Sequence, residues 1–422
     1  MGLVMKTDGP APEGNGIAGR SVLVRWSAAL AVVVVLCAAA AWTLRLGYAD
    51  LLFSTGDREA VEKARRLAPG KAEYFARKVE GEPFSPIARA VELNPYYARG
   101  WIELALEAEL AGQPSQAERL LLEAFRRDRS YLPRWSLANF YFRSGKREQF
   151  WLWARRAAEM APYDQSALFE LCWRMSGDAA EILTKAIPAD PAILSQYLNY
   201  LLRTQRLEAA RSAAEALARL AGPPQRAAVL YACDRLLAAG RVREAAELWN
   251  LLASRNLLPY PPLAAVQGSI VTNGDFSQEP VPGGFDWRIP RVNGVAVGGP
   301  GRPPGLTLDF SGAQPQSCEL ASQALLVEGG LRYGVRYSYR TRGVGPGTGL
   351  RWAIGPLAGG GWWAQGPDLS HEEWAEQGFE FLAPPGPQGA RLVLVYERAL
   401  GTTRIEGTLE LRRIEVRPVE QR

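Results

Sequence analysis

The chain has 422 residues, 47% of them hydrophobic and 22% charged. This excludes a disordered protein and, at about 150 residues per domain, implies two or three domains. The single histidine, His371, and four scattered cysteines, Cys37, Cys172, Cys233 and Cys318, argue against His-based acid–base chemistry, a catalytic zinc site and a disulfide framework.

Residues 1–20 are Gly-, Pro- and Asn-bearing with few large apolar side chains and predict a disordered cytoplasmic tail. An uncharged run then extends from Trp26 to Leu44, between Arg25 and Arg45. Its length matches the roughly 30 Å hydrocarbon core of a bilayer, and Trp26 and Trp42 sit near its ends, where interfacial aromatics belong. Residues 21–46 therefore predict a transmembrane signal anchor. A cleaved signal peptide, with Ala38–Ala41 as the small residues, and a buried helix are the other readings. The short tail favours a single pass through the inner (cytoplasmic) membrane of a bacterial cell, with the bulk of the chain extracytoplasmic, in the periplasm.

Residues 50–258 are Ala/Leu/Glu/Arg-rich, with apolar residues at three- and four-residue spacing, and predict helices joined by short turns. The hairpins recur. Trp101 and Trp135 are 34 residues apart, as are Ala124 and Ala158, and Asp128 and Pro162. Trp101, Leu104, Ala117, Leu121 and Ala124, and then Trp135, Ala138, Phe142, Ala158 and Pro162, resemble the consensus positions of the tetratricopeptide repeat. The next unit is shortened, with Pro162 only 29 residues from Pro191. The resemblance implies an all-α solenoid that binds a protein or peptide partner.

A Pro-rich linker covers residues 259–269. Beyond it the composition shifts to Gly, Pro, Thr and Val, and turn signals recur every 8–12 residues. Residues 268–422 hold 15 Arg, no Lys and 16 Asp plus Glu, so the net +5 comes from the earlier residues, where it is diffuse; this disfavours nucleic-acid binding. Eight strand-like runs between Gly294 and Val416 predict an all-β jelly-roll sandwich over residues 270–417. Asn273-Gly274-Asp275-Phe276 followed by Gly284-Phe285-Asp286-Trp287 is similar to the opening of galactose-binding-like and carbohydrate-binding jelly rolls. That family implies a glycan ligand and a structural calcium. Asp275 is the one weak calcium candidate, because Ser277 stands where an acidic residue is usual, and Glu410 and Glu415 replace the aspartates often found in the closing strand. No cofactor or other metal is implied.

Proteins bind sugars with aromatic planes flanked by polar side chains. Trp352, Trp362 and Trp363, with Gln365 and Asp368, are the candidates for such a platform. Core packing is the competing reading. On the solenoid, Tyr131, Trp135, Tyr141, Trp151 and Trp153 exceed what a minimal repeat core needs and are candidates for a partner-binding face. Together these features predict a multidomain protein: a single transmembrane helix, a tetratricopeptide-like solenoid and a jelly roll. Its expected role is that of a membrane-anchored, non-enzymatic scaffold that binds a protein through the solenoid and a polysaccharide or other envelope component through the sandwich, in exopolysaccharide or envelope assembly or secretion. A glycan-acting enzyme with its cleft in the sandwich, and a purely structural sandwich capping the solenoid, are the alternatives.

Overall fold

A computed structural model describes residues 16–76, 86–161, 163–299, 304–386 and 389–419. The expected tail up to residue 15, the repeat position Pro162 and the side chain of Trp26 lie outside the described residues. Two compact units divide within one helix, between Phe140 and Tyr141, and are described separately.

The first unit starts with α1 (Gly16–Thr55), whose stretch Leu30–Thr55 is long and apolar enough to cross a membrane. Then come α2 (Arg58–Leu67), α3 (Glu73–Ala76), α4 (Ile87–Leu93), α5 (Ala98–Leu110), α6 (Pro114–Arg127) and the start of α7 (Tyr131–Arg143). Ala117, Leu121 and Ala124 of α6, and Ile102, Ala105 and Ala108 of α5, are buried. The small side chains let the helices approach closely. The end of α1 belongs to this fold as well: Ala49 is buried with Ala64, Ala68 and Tyr74, and Phe53 stacks on Tyr74 at 4.7 Å.

The second unit takes in α8 (Arg147–Ala158), α9 (Ser166–Met175), α10 (Ala179–Lys185), α11 (Pro191–Arg203), α12 (Leu207–Leu220), α13 (Arg226–Ala238) and α14 (Val242–Ser254). One turn recurs in hairpins of both units. The amides of Gln113, Lys146, Arg206 and Arg241 donate to the carbonyls of Ala108, Tyr141, Leu201 and Leu236, five residues back, at 2.8–3.0 Å. This closure needs a left-handed residue just before the donor. Gly112, Gly145 and Gly240 supply it at φ of 66–75°, but Gln205 holds the same conformation at φ 58°. The shortened α9–α10 hairpin lacks this turn; Ser176 ends α9, and the Asp178 carboxylate caps α10 by accepting from Ala180 and Glu181.

Among the described residues nine strands follow: β1 (Val295–Gly298), β2 (Leu306–Ser311), β3 (Ser317–Leu326), β4 (Arg332–Arg342), β5 (Leu350–Pro356), β6 (Ala364–Gln365), β7 (Ala375–Leu382), β8 (Gly389–Glu397) and β9 (Glu406–Pro418). They form two antiparallel sheets, ordered β1-β2-β9-β4-β7 and β3-β8-β5-β6, packed as a sandwich. Alternation selects the faces. Tyr333, Val335, Tyr337 and Tyr339 of β4 join Leu409, Leu411, Ile414 and Val416 of β9 in the core, while the arginines of β4 face outward.

The sandwich is seated on the last helical hairpin. The wholly buried Trp249 of α14 stacks on Tyr260 at 6.1 Å and meets the edge of Phe285 at 5.9 Å. Gly284, at φ 64°, lies so close to that indole that a Cβ would collide with it. Its amide donates to Asp234 of α13 at 2.7 Å, and Arg288 pairs with the same carboxylate. The linker is therefore packed structure, tied down at Asn250, which bonds both the amide and the carbonyl of Leu263.

Candidate functional site

The motif that carried the jelly-roll resemblance is a structural clasp. Asn273, at φ 52°, closes its loop by bonding both the amide and the carbonyl of Gln278, at 3.1 and 2.8 Å. Phe276 stacks on Trp287 at 5.1 Å, and Trp287 packs at 5.8 Å from Trp352. Asp286, 1% exposed, accepts from the amides of Val281 and Trp287 and from the Tyr260 hydroxyl at 2.6 Å. Burial raises its pKa, against the lowering effect of those three donors and of Arg288. Asp275 is exposed and accepts from the Ser277 amide, forming a local turn. Among the described residues there is no group of three or more His, Cys, Asp or Glu side chains that could hold a metal ion.

The expected sugar platform separates into a buried part and an edge. Trp352 is 0% exposed, a core residue of β5, so it offers no plane to a ligand; the inward strand position decides this. Trp362 and Trp363 are both half-buried. Trp362 lies over Ala353, Val393 and Val395, whereas Trp363 packs against the main core 6.3 Å from Phe381. Gln365 is exposed and accepts from Arg351 at 3.0 Å. Asp368 accepts from the Gly349 amide at 2.9 Å and serves the loop.

A different aromatic residue stands on the outer face of the five-stranded sheet. Trp374, half-buried, precedes β7, with the Arg412 guanidinium 3.7 Å from its ring centroid and that of Arg340 at 5.0 Å. Glu410 holds Arg340 at 2.7 Å and Arg342 at 3.7 Å. Arg336, four residues before Arg340, is exposed on the same side of β4. The alternation of β4 and β9 placed these arginines outside; only the cross-strand register, which joins Arg340 to Glu410, brings them together.

On the solenoid, Tyr131 and Trp135 are half-buried and stacked at 6.1 Å, and burial raises the Tyr131 pKa. Tyr141, Trp151 and Trp153 do not form an exposed face. All three are buried: Tyr141 at the end of α7, and Trp151 and Trp153 on α8, where Trp151 stands at a position that a regular repeat fills with a small residue. The Trp151 indole donates to Glu181 at 3.1 Å. Arg147, Ser176 and Lys185 also reach Glu181, and Arg147 first among them holds its pKa down at about 2. A cluster that residue patterning missed lies between α9 and α11. The Tyr200 hydroxyl donates to Glu170 at 2.6 Å and accepts from Arg206 at 2.9 Å, while the Arg206 guanidinium lies 4.5 Å from the ring of half-buried Trp173. Burial, and then the Glu170 carboxylate, push Tyr200 up to about 12. Cys172 and Cys233 are fully buried, and burial raises both thiols, so neither is a nucleophile.

No family profile matches the chain, and no curated protein matches it. Solved structures similar to it fall into two groups. One includes the N-terminal cellulose-binding domain of Cellulomonas fimi β-1,4-glucanase C: 16% identity, 36% of this chain and 99% of that one, TM-score 0.22. The other includes Pseudomonas aeruginosa pilF (19% identity, 50% and 93%, TM-score 0.23) and YrrB, a TPR protein with an unusual peptide-binding site (16%, 41% and 92%, TM-score 0.20).

Proposed function

We propose that this chain is a membrane-anchored, non-enzymatic scaffold. Its helical repeats hold a protein partner, and its sandwich holds a glycan of the bacterial envelope, in the assembly or secretion of envelope polysaccharide. The anchor is the apolar part of α1, in the inner membrane with the remainder in the periplasm. Confinement to that thin layer raises the effective concentration of both binding surfaces for partners there. The observation that carries the glycan half is Trp374 with Arg412, Arg340 and Glu410: an aromatic ring and fixed charged groups on the outer side of rigid strands. Glu410 is occupied by two arginines, which supports binding over hydrolysis. For the partner, Trp173 with Arg206, Tyr200 and Glu170 offers the aromatic-and-arginine composition typical of interface anchors.

The test is a glycan array probed with the full chain in detergent, because residues 268–422 alone would uncover the Trp249 contact. Binding lost in Trp374→Ala and Arg412→Ala, and kept in Trp362→Ala, supports the outer-face site. Absence of binding to every glycan removes the glycan half. The burial of Trp249, Phe285 and Asp286 favours a second reading, in which the sandwich serves as a structural cap of the repeats.

A further inference from the structure

Helix α1 continues without interruption past Arg45, where the uncharged run ends. Its apolar stretch Leu30–Thr55 has 26 residues. That is about 39 Å of helix, against about 30 Å of hydrocarbon. The excess length carries the first hairpin, and there α1 has two unlike faces. One is locked to α2 and α3: Arg45 donates to the Leu67 carbonyl at 2.7 Å, Asp50 takes Lys71 and Tyr74, and Ala49 is buried. The other consists of Leu44, Tyr48 and Leu51, at i, i+4 and i+7, exposed by 74, 47 and 62%. It bears no charge and continues the exposed stripe of Val33 and Cys37 in the apolar run. Cations flank it: Lys63 of α2 lies 5.8 Å from the Tyr48 ring and Arg45 lies 5.3 Å from that of Trp42.

We propose that Leu44, Tyr48 and Leu51 form a membrane-interface face that beds the first hairpin onto the phospholipid headgroups. The hairpin is then held against the bilayer rather than carried on a free stalk. Lipid is the occupant for two reasons. The face is continuous with the lipid-facing surface of the anchor, and the aromatics and cations beside it suit the boundary between acyl chains and phosphates. The proposal rests on the reading of α1 as the anchor, and the experiment separates the two.

The full chain is reconstituted in phosphatidylcholine–phosphatidylglycerol vesicles with one fluorophore-labelled cysteine at a time. Cys172 and Cys233 are retained because they are buried, and Cys318→Ser removes the half-buried thiol. Native Cys37 reports the anchor. Tyr48→Cys and Leu51→Cys, each with Cys37→Ser, report the face, and Glu107→Cys reports solvent. Nitroxide lipids labelled deep in the chains quench position 37. Headgroup-level nitroxides quench positions 48 and 51 at least about two-fold more than position 107. Deep quenching at 37 with positions 48 and 51 as unquenched as 107 overturns the proposal and leaves the anchor intact. Protection of 48 and 51 from aqueous iodide without lipid quenching also overturns it, in favour of a protein neighbour. No quenching at 37 removes the anchor and the proposal with it.

Discussion

The first and the last helical hairpins are each closed by a segment from outside the repeats, and in each an aspartate accepts a tyrosine hydroxyl at 2.6 Å: Asp50 from Tyr74, and Asp286 from Tyr260. The surroundings differ. Asp50 is exposed and paired with Lys71, so water screens the contact; Asp286 is buried, has no cation bonded to it and depends on backbone amides. The Lys71 ion pair therefore contributes little at the first hairpin, whereas the bonds to buried Asp286 are hard to replace at the last. The first closure suits a hairpin resting on a surface. The second fixes the sandwich to the helices.

The contrast can be broken most severely at Trp249. Trp249→Ala is expected to cost about 3–5 kcal/mol in urea unfolding of the full chain, by leaving a cavity against Tyr260 and Phe285. Asp286→Ala follows at about 1–3 kcal/mol, since two amides and a hydroxyl lose their acceptor. Its pH dependence has a definite sign. The folded pKa of Asp286 is raised, so the folded chain binds this proton more readily than the unfolded one. Stability relative to Asp286→Asn rises as pH falls through the raised value, and levels off below the unfolded value of about 3.9. Urea midpoints of the two chains between pH 4 and 7 check this. At the first hairpin, Lys71→Ala is expected to cost about 0.2–1 kcal/mol, and less at high salt. Gln205→Gly is the mildest change and has the opposite sign. Relief of the left-handed strain raises stability by about 1 kcal/mol or less, read from the thermal midpoint.

The architecture was legible because both of its parts are periodic. The 34-residue spacings mark the hairpins, and alternation in β4 and β9 assigns their faces. β6, a two-residue strand, is too short to leave an alternating signal. The left-handed turn at Gln205 was hidden because no glycine marks it. The candidate sites were less legible because burial is a tertiary property. Trp352 and Trp151 look like their neighbours in sequence, and only packed partners put them in the core. Asp234 and Arg288 lie 54 residues apart and Arg340 and Glu410 lie 70 apart, distances at which residue spacing carries no information about contact.

Hydrogen exchange on the full chain in detergent tests most directly whether the last helical hairpin, α13 and α14, and the sandwich act as one body. The slowest amides of α13 and α14 should open with the same free energy as those of β3 and β8, and Trp249→Ala should lower both together. Exchange of α13 and α14 through their own cheaper opening, with β3 and β8 still protected, would contradict the account.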